Sequence, residues 1–453
     1  MPDDDSLKAL ARAIARIETF VEKFPLDAAK DLRARIATIR TLLLEKRPPA
    51  LALVGRRGAG KSSLVNALFG AKMAQLGHVT AQTGRGHWYD YEKDGGAMSI
   101  LDTRGMQEGS APSETDDAKT ALESIGHELR AKAPDVIVFV VRASDVDSAI
   151  DADLDALQDV YDELRRAHRV EPPLVAVITH CDLLEPKSAH LPRDSRPGRA
   201  SPSAAAEGDD EIRDVAEKMH HVVTAERTLA SKIDGREKLR ARHVSTMGVS
   251  AYMSWRDAKE RTPAEKPARG ENAGAAVLRA DERWRINELA VTLFRHLPEA
   301  GRAELARATQ ARAVQEELAA TLSKATAAIA AAIAATPIPF ADVLPLTALQ
   351  AGLVAAIAWI GGRSLDRRGA SEFLASLGVN VGAAFALRQA FRGLLKLVAP
   401  GGGPVLSAAI AFSGTMAVGT AARAYFVRGV SAEDAKRIFR RPPAEKDEEQ
   451  SKP

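Results

Sequence analysis

The sequence predicts an α/β protein: a doubly wound, mostly parallel sheet with an N-terminal helical hairpin and a C-terminal all-α domain rich in Ala and Gly. Three observations carry this prediction. Apolar residues recur at helical spacing in residues 1–48, short apolar runs alternate with helical stretches in residues 49–297, and long uncharged stretches of small residues follow residue 300. Apolar runs separated by helices are typical of parallel strands that are buried on both faces.

Each predicted arm of the hairpin has one apolar stripe. The first arm ends at Pro25, and the second resumes the pattern with Leu32, Ile36, Ile39 and Leu43. Spacings of three and four residues place these side chains on one face of a helix. We therefore expect the hairpin to pack on a neighbouring part of the chain.

The predicted sheet is formed by six segments. Two polar stretches, about 186–210 and 257–276, contain few large apolar residues and are expected to be mobile insertions. The segment "HWYDYE" at residue 87 is expected to be an edge strand. The other strands are "ALALV" at 50, "AMSIL" at 97, "DVIVFVV" at 135, "LVAVIT" at 174 and "HVSTMGV" at 243.

The composition excludes several functional classes for this chain. The 453 residues suffice for two or three domains, and a net charge of +3 with 5% aromatic residues argues against DNA binding and against a base-stacking surface. A single cysteine, Cys181, excludes an internal disulfide and fits a reducing compartment. The first residues, "MPDDDSLKAL", lack the apolar stretch of a signal peptide, so we expect the chain on the cytoplasmic side of any membrane it touches.

The strongest motif is "GRRGAGKSS", which lies between a predicted strand and a predicted helix. Glycines let backbone N–H groups close around phosphate oxygens, the lysine reaches the outer phosphates, and the first serine hydroxyl binds Mg²⁺. Arg57 is a candidate cation for the phosphates, or else a solvated surface residue. The predicted phosphate-binding residues are Gly55, Gly58, Ala59, Gly60, Lys61, Ser62 and Ser63.

A second motif, "SILDTRGM", follows one strand later. Asp102 ends an apolar strand, where a carboxylate can hold a water ligand of Mg²⁺. Gly105 can offer its N–H to a γ-phosphate and let the next loop move when that phosphate leaves. The order of the two motifs favours a nucleoside triphosphatase.

With Thr-x-x-Asp at 179–182 and Ser-Ala at 250–251, these motifs resemble the Era- and TrmE-related GTPases of the translation-factor class over residues 50 to 297. The resemblance implies a P-loop GTPase fold, GTP/GDP and Mg²⁺ as ligands, and hydrolysis of GTP to GDP and phosphate. It implies that Thr83 binds Mg²⁺ and the γ-phosphate, with Thr80 or a purely structural threonine as the alternatives. Lys61, Thr83 and Gly105 would then be the catalytic group, with Ser62, Thr83 and Asp102 at the metal.

Two departures from that family affect the expected activity. Gly58 stands where relatives often have an asparagine that helps hold potassium, so we expect no stimulation by potassium. Met106 stands where Ras-like proteins have a water-orienting glutamine, so we expect slow turnover without a partner.

The family's fourth and fifth motifs imply recognition of guanine. Asp182 would accept two hydrogen bonds from the base, which adenine does not offer. His180 replaces the lysine that normally covers the base, whereas Thr179 matches the family motif. A backbone N–H of Ser250 or Ala251 would meet the guanine oxygen. We expect a preference for guanine, with an affinity somewhat weaker than that of family members that have the lysine.

The C-terminal part, residues 298–432, resembles the YcjF-like membrane-associated domain over about 325 to 430, with "ATPIPFADVLPLTALQAGLVAAIA" as the characteristic stretch. Residues 343–362 are uncharged and long enough to span a bilayer, but their moderate hydrophobicity equally suits peripheral association or a soluble bundle. The resemblance implies a membrane or membrane-protein partner at the cytoplasmic face of the inner (plasma) membrane. A homo-oligomer is left open, and residues 433–453 are expected to be a disordered tail.

These features predict a GTP-hydrolysing switch coupled to a membrane-associated helical domain. One alternative is a slow nucleotide-sensing module whose output is partner binding. A ribosome-assembly GTPase is a third hypothesis, although the sequence lacks a basic Gly-x-x-Gly clamp or an aromatic-rich sheet after the GTPase part.

Overall fold

The computed structural model divides into two compact units, each described separately below. The sheet unit comprises Pro48–Pro298 and Ala308–Ala311, and the helical unit comprises the chain up to Arg47, Glu299–Arg307 and the chain from Arg312 onward. The structure describes residues 11, 12, 14, 15, 18, 19, 26–73, 87–93, 95–102, 121–147, 150–193, 209–256, 277–335, 343–363, 365, 367–378 and 403–440.

A six-stranded sheet forms the centre of the sheet unit, in the order β2-β3-β1-β4-β5-β6. β2 is antiparallel to β3, and the other neighbours are parallel. The predictions of a mostly parallel α/β sheet and of an edge strand at residue 87 are therefore confirmed, and the structure adds that the edge strand is antiparallel. The strands are β1 (Ala50–Val54), β2 (His87–Lys93), β3 (Gly96–Asp102), β4 (Val136–Arg142), β5 (Leu174–Thr179) and β6 (His243–Gly248).

The continuous apolar runs form the central strands because both of their faces are covered. All residues of β1 and β5 are buried, as are all residues of β4 except Arg142 at its end. Helices pack on these strands with apolar stripes. They are α2 (Lys61–Phe69), α3 (Ala121–Ala131), α4 (Ile150–His168), α5 (Asp209–Asp234), the short α6 (Glu237–Arg240) and α7 (Ile286–His296).

The two predicted insertions lie largely outside the described residues. β7 (Met253–Arg256) and β8 (Val277–Asp281) form an antiparallel pair on either side of residues 257–276. The ends of the other insertion, residues 186–193 and Asp209–Asp210, are among the residues that the structure describes. Ala189 is buried, and Asp209 is the first residue of α5.

The helical unit has no strand among its described residues. Its helices are α1 (Leu26–Leu43), most of α8 (Glu299–Thr309), α9 (Arg312–Ala335), α10 (Val343–Ile360), α11 (Arg367–Leu377), α12 (Gly403–Ala422), a π-helical turn (Arg423–Val427) and α13 (Ala432–Arg440). The predicted stripe of α1, Leu32, Ile36, Ile39 and Leu43, is buried. Most of the predicted first arm lies outside the described residues.

Small residues allow close helix packing in this unit. A Cβ atom at Gly419 of α12 would lie 2.3 Å from the Ser323 hydroxyl of α9, so the helices meet where neither has a bulky side chain. The buried Gln350 donates from Nε2 to the Thr415 hydroxyl, 3.2 Å away. A buried amide group without a hydrogen-bond partner would destabilise the fold, so this pairing favours one arrangement of the two helices. The Gln350–Thr415 hydrogen bond therefore joins α10 to α12 at one point.

Among the described residues, one helix is long and apolar enough to cross a membrane, and it is α9 rather than the predicted 343–362. Half of its most apolar window is buried within the protein. α10 covers most of the predicted stretch, but its apolar part, Leu346–Ile360, is shorter. Every residue of α10 from Leu349 onward is buried. The same length and composition occur in the core helices of soluble proteins.

The prediction of disorder from residue 433 is wrong for its first part, because α13 extends to Arg440. Ser431 and Asp434 cap this helix: the Asp434 N–H donates to the Ser431 hydroxyl over 3.1 Å, and that hydroxyl donates to the Asp434 carboxylate over 2.8 Å. Acidic residues in the first turn and basic residues in the last also suit the helix dipole. Residues 441–453 lie outside the described structure.

Candidate nucleotide-binding site

The loop between β1 and α2 is shaped by its glycines. A Cβ atom at Gly55 would lie 2.2 Å from the Val140 carbonyl oxygen of β4, so no side chain fits there. Gly60 has a φ of 89°, which side chains rarely tolerate. At Gly58, by contrast, an added Cβ would meet nothing within 4 Å. The loop backbone is therefore packed closely against β4 at Gly55, whereas there is open space beside Gly58.

Lys61 lies inside this loop. Its Nζ donates to the carbonyl oxygens of Gly55, at 2.8 Å, and Arg56, at 3.0 Å, and the side chain is buried. The residue also begins α2, whose first turn contains no acidic residue. A helix N-terminus and an ammonium group at one point provide positive potential for a phosphate. Ser62 and Ser63 follow in the first turn and are half-buried.

Arg56 fastens the loop to α4, which the sequence did not indicate. Its Nε donates to Asp153 Oδ2 over 2.7 Å, and Asp153 is buried. Burial raises the pKa of Asp153 above its ordinary value, although the Arg56 hydrogen bond and charge act in the opposite direction. The neighbouring Arg57, which was the predicted candidate cation, is exposed. The two adjacent arginines thus have different environments.

The predicted Mg²⁺ and switch residues are only partly described. Asp102 is the last residue of β3 and pairs in register with Leu53 of β1. Its backbone therefore lies at the carboxyl edge of the sheet. It is level with Leu53, which precedes Gly55, the first glycine of the phosphate loop, by two residues. Thr83, its alternative Thr80, Gly105 and Met106 lie outside the described residues.

The end of β5 is joined directly to the phosphate loop. The hydroxyl of buried Thr179 donates to the Ala59 carbonyl oxygen over 2.6 Å. His180 follows with a φ of 58°, and its ring Cε1 would lie 3.1 Å from a Cβ at Gly60. The histidine ring therefore covers one side of the phosphate loop.

His180 is surrounded in a way that favours its neutral form. Burial lowers its pKa below the ordinary 6.5, and Arg142 lowers it further, while Asp182 and Asp145 oppose the shift. The ring Nδ1 lies 2.9 Å from the Thr179 hydroxyl. A neutral ring can lie flat against an apolar base face, but it lacks the length of a lysine stem.

Asp182 lies in a short turn, Cys181–Leu183, that follows His180. Its Oδ1 accepts a hydrogen bond from the Ser250 hydroxyl over 3.1 Å. The two predicted base-recognition segments are thus in contact. Cys181 is buried, and burial raises the pKa of its thiol to about 12, so the thiol remains protonated at physiological pH.

The backbone of Ser250 is already engaged. Its N–H donates to the Trp284 carbonyl over 3.1 Å, and the Trp284 N–H donates back over 3.0 Å. Of the two predicted residues, Ala251 is therefore the better candidate for a backbone donor to a base. Ser250 contributes through its side chain instead, by holding Asp182.

Two residues of α5 that carry no motif also contact this region. Lys218 donates from Nζ to the carbonyl oxygens of Asp182, at 2.8 Å, and Ala189, at 2.7 Å. Glu226 accepts from the Gly248 N–H over 2.6 Å. No local pattern marks these residues, because they lie in an ordinary amphipathic helix far along the chain from their partners.

Comparisons with known proteins agree with this geometry. Residues 50–179 match the family model described as "50S ribosome-binding GTPase". The GTPase Der of Neisseria meningitidis is 29% identical over 147 residues, which are 32% of this chain and 24% of that protein. The tRNA modification GTPase MnmE of Thermus thermophilus is 32% identical over 127 residues, which are 26% of this chain and 28% of that protein. The chain thus spans about a quarter of the length of these relatives.

Solved structures are similar at lower identity. Era in complex with MgGDPNP and a fragment of 16S ribosomal RNA is 16% identical with a TM-score of 0.28, over 63% of this chain and 68% of that chain. Toc33 from Arabidopsis thaliana in complex with Mg²⁺ and GMPPNP is 17% identical with a TM-score of 0.29, over 51% and 82%. The family match confirms the predicted resemblance at the level of one domain. Residues 50–179, which include five of the six strands of the sheet, are thus similar in sequence to P-loop GTPase domains.

Proposed function

We propose that this protein binds GTP and GDP with Mg²⁺ and hydrolyses GTP to GDP and phosphate. The observation that carries the proposal is the hydrogen bond from Thr179 to Ala59, because it joins the base-recognition loop to the phosphate loop at one edge of the sheet. The names of the relatives Der and MnmE, both GTPases, support it. Nucleotide phosphates and base would then lie along one continuous surface.

The loop between β1 and α2 would bind the phosphates of the nucleotide. Gly55, Gly58, Ala59 and Gly60 would turn backbone N–H groups toward the phosphates, and Lys61 would exchange its carbonyl partners for phosphate oxygens. Mg²⁺, when bound, would offset the negative charge of the phosphates. In this proposal Ser62, Thr83 and Asp102 hold the ion, Ser63 adds a further contact, and Gly105 binds the γ-phosphate.

The base part depends on Asp182. Its carboxylate would accept the ring N–H and the exocyclic amine of guanine, while Ser250 holds it from the side. Adenine leaves that carboxylate without donors, which is costly in a partly desolvated site. Ala251 would offer a backbone N–H to the guanine oxygen, and His180 would pack against the base beside Thr179.

We also propose that nucleotide state is coupled to a membrane-associated helical unit at the cytoplasmic face of the inner membrane. Three large apolar side chains on α12, Val405, Ile410 and Phe412, are exposed, which supports contact with lipid. Electrostatic attraction is weaker than the sequence indicates, because Arg423 and Arg428 both pair with Glu316. Apolar contact is therefore the stronger basis for this proposal.

A nucleotide sensor with very slow turnover is the second candidate function. Met106 favours it, because an apolar side chain cannot orient an attacking water. The matched family description also names the 50S ribosome, which keeps a ribosomal partner as a further candidate. A turnover well above a few per hour without any partner would exclude the sensor.

Replacing Lys61 by Ala should reduce GTP hydrolysis by at least roughly a hundredfold, because the outer phosphates lose their buried cation. Phosphate release by the full chain measures this. Lys187→Ala is the control, since that lysine is 75% exposed. A Lys61→Ala protein as fast as the wild type contradicts the proposed activity.

Replacing Asp182 by Ala should reduce the preference for GDP over ADP by roughly a hundredfold, since only guanine offers the paired donors. Calorimetric titration of both nucleotides with Mg²⁺ gives the ratio. Asp210→Ala, at a carboxylate that is 90% exposed, serves as the matched control. An unchanged ratio means that Asp182 does not recognise the base.

The pKa of His180 has a direct consequence for stability. Because the folded value lies below the unfolded 6.5, the unfolded chain binds the proton more readily, and the free energy of unfolding falls as pH drops below 6.5. Relative to a His180→Gln variant, the thermal midpoint of the wild type should therefore fall between pH 7.5 and 5.5. The exposed His190 gives the control variant His190→Gln, and a pH-independent difference for His180→Gln contradicts the prediction.

Full-length protein should float with vesicles containing phosphatidylglycerol, because apolar side chains of α12 insert at the lipid surface. The double variant Val405→Glu/Phe412→Glu should stay with the soluble fraction. Ile212→Glu, at an exposed apolar position of the sheet unit, should float like the wild type. Wild-type protein that remains soluble with both anionic and neutral vesicles contradicts membrane association.

A further inference from the structure

Helix α5 holds the segment that follows Asp182 at two points. The buried Lys218 donates to the carbonyl oxygens of Asp182 and Ala189, and Asp214, one turn earlier, accepts from the Ser188 hydroxyl over 3.3 Å. Both carbonyl groups lie in an irregular segment that has no strand to pair with. The lysine therefore supplies hydrogen bonds that secondary structure does not provide.

The same helix holds the segment before Ser250. Oε1 of Glu226 accepts from the Gly248 N–H and from Arg285 Nη1, each at 2.6 Å. The Arg285 guanidinium also lies over the Trp284 ring, 5.2 Å from its centroid, and Trp284 pairs with Ser250 through two backbone hydrogen bonds. The Glu226 carboxylate thus links Gly248, at the end of β6, to Arg285. Arg285 in turn contacts Trp284, which pairs with Ser250.

Between these two contacts the helix packs against both segments. A Cβ atom at Gly248 would lie 2.6 Å from Val222 Cγ1 and 3.0 Å from Cys181 Sγ. Helix, strand end and Cys181 therefore meet without a gap. Lys218, Val222 and Glu226 are spaced four residues apart and lie on one face of α5.

Because Lys218 is buried, its ammonium group depends on its hydrogen bonds to the two carbonyl groups. Burial lowers the pKa of the ammonium group, while the negative charges of Asp182 and Glu185 oppose that shift. A buried polar group that loses its partners is costly, so the lysine and the two carbonyl groups hold each other in one arrangement. Its loss would leave both carbonyl groups of the segment without this donor.

We propose that α5 is the positioning element for base recognition, with Lys218 and Glu226 as positioning residues that set Asp182 and Ala251 at a fixed separation. The inference rests on the proposed function, in which Asp182 accepts hydrogen bonds from guanine. A carboxylate already fixed in place does not have to be ordered when the nucleotide binds, so affinity for guanine rises without a new contact. The described hydrogen bonds of Lys218 and Glu226 go to the base-recognition segments and to Arg285, and none goes to the phosphate loop, so we expect nucleotides that Asp182 does not recognise to be unaffected.

The test is a titration of GDP and of ADP, each with Mg²⁺, into full-length wild type, Lys218→Met and Glu226→Gln. Lys218→Met should weaken GDP binding roughly tenfold and leave ADP binding unchanged, as expected when buried carbonyl groups lose their donor. In an Asp182→Ala background it should have no further effect, because residues that act as a unit are not additive. Arg213→Met and Glu217→Gln, at exposed positions of the same helix, are the matched controls.

The outcomes separate this inference from the function on which it rests. Wild-type protein that binds GDP and ADP equally overturns the proposed function, whatever the variants do. A wild-type preference for GDP that persists in Lys218→Met overturns the inference alone, as does an equal loss of both nucleotides that accompanies a lower unfolding midpoint. If Lys218→Met does not fold, the nearly isosteric Glu226→Gln decides: reduced selectivity for GDP supports the inference and unchanged selectivity overturns it.

Discussion

The bond from the Thr179 hydroxyl to the Ala59 carbonyl is the constraint on which the candidate site depends. Parallel strands bring their carboxyl ends to one edge of a sheet, so β1 and β5 deliver their loops to the same side. Proximity alone does not fix the distance between the loops. Since Thr179 is buried and its partner belongs to the phosphate loop, this hydrogen bond sets the distance between the two loops. A ligand with phosphates at one end and a base at the other therefore finds both halves of its site already aligned.

The sequence predicted the sheet well because its strands are short, continuously apolar and bounded by turns or polar residues. The same reasoning located the phosphate loop, since Gly55 and Gly60 are required by close approach and by positive φ. It could not foresee that Arg56 pairs with the buried Asp153 of α4, because adjacent arginines are equivalent in sequence and nothing in the local pattern points to a partner on a distant helix.

The contacts of α5 were missed for a related reason. Lys218 and Glu226 bond to backbone groups of segments that are distant in sequence, and such partners leave no pattern in the side chains around them. The helical unit adds information of another kind. Residues 343–362 are uncharged and suit a membrane span, peripheral association or a soluble bundle; most of α10 is buried by packing, and α9 is the described helix that is long and apolar enough to cross a membrane. Hydrophobic composition alone does not distinguish a lipid-facing helix from the core of a bundle.

The two units use charge differently, and this bears on how a switch would operate. In the helical unit Glu316 of α9 pairs with Arg423, the first residue of the π-helical turn, and with Arg428, which follows that turn, so one carboxylate offsets two arginines that come after α12. In the sheet unit the N-terminus of α2 has no acidic residue in its first turn, and Lys61 Nζ donates to the carbonyl oxygens of Gly55 and Arg56. Because carbonyl dipoles bind an ammonium more weakly than phosphate does, we expect a bound phosphate to draw Lys61 away from these two carbonyl groups.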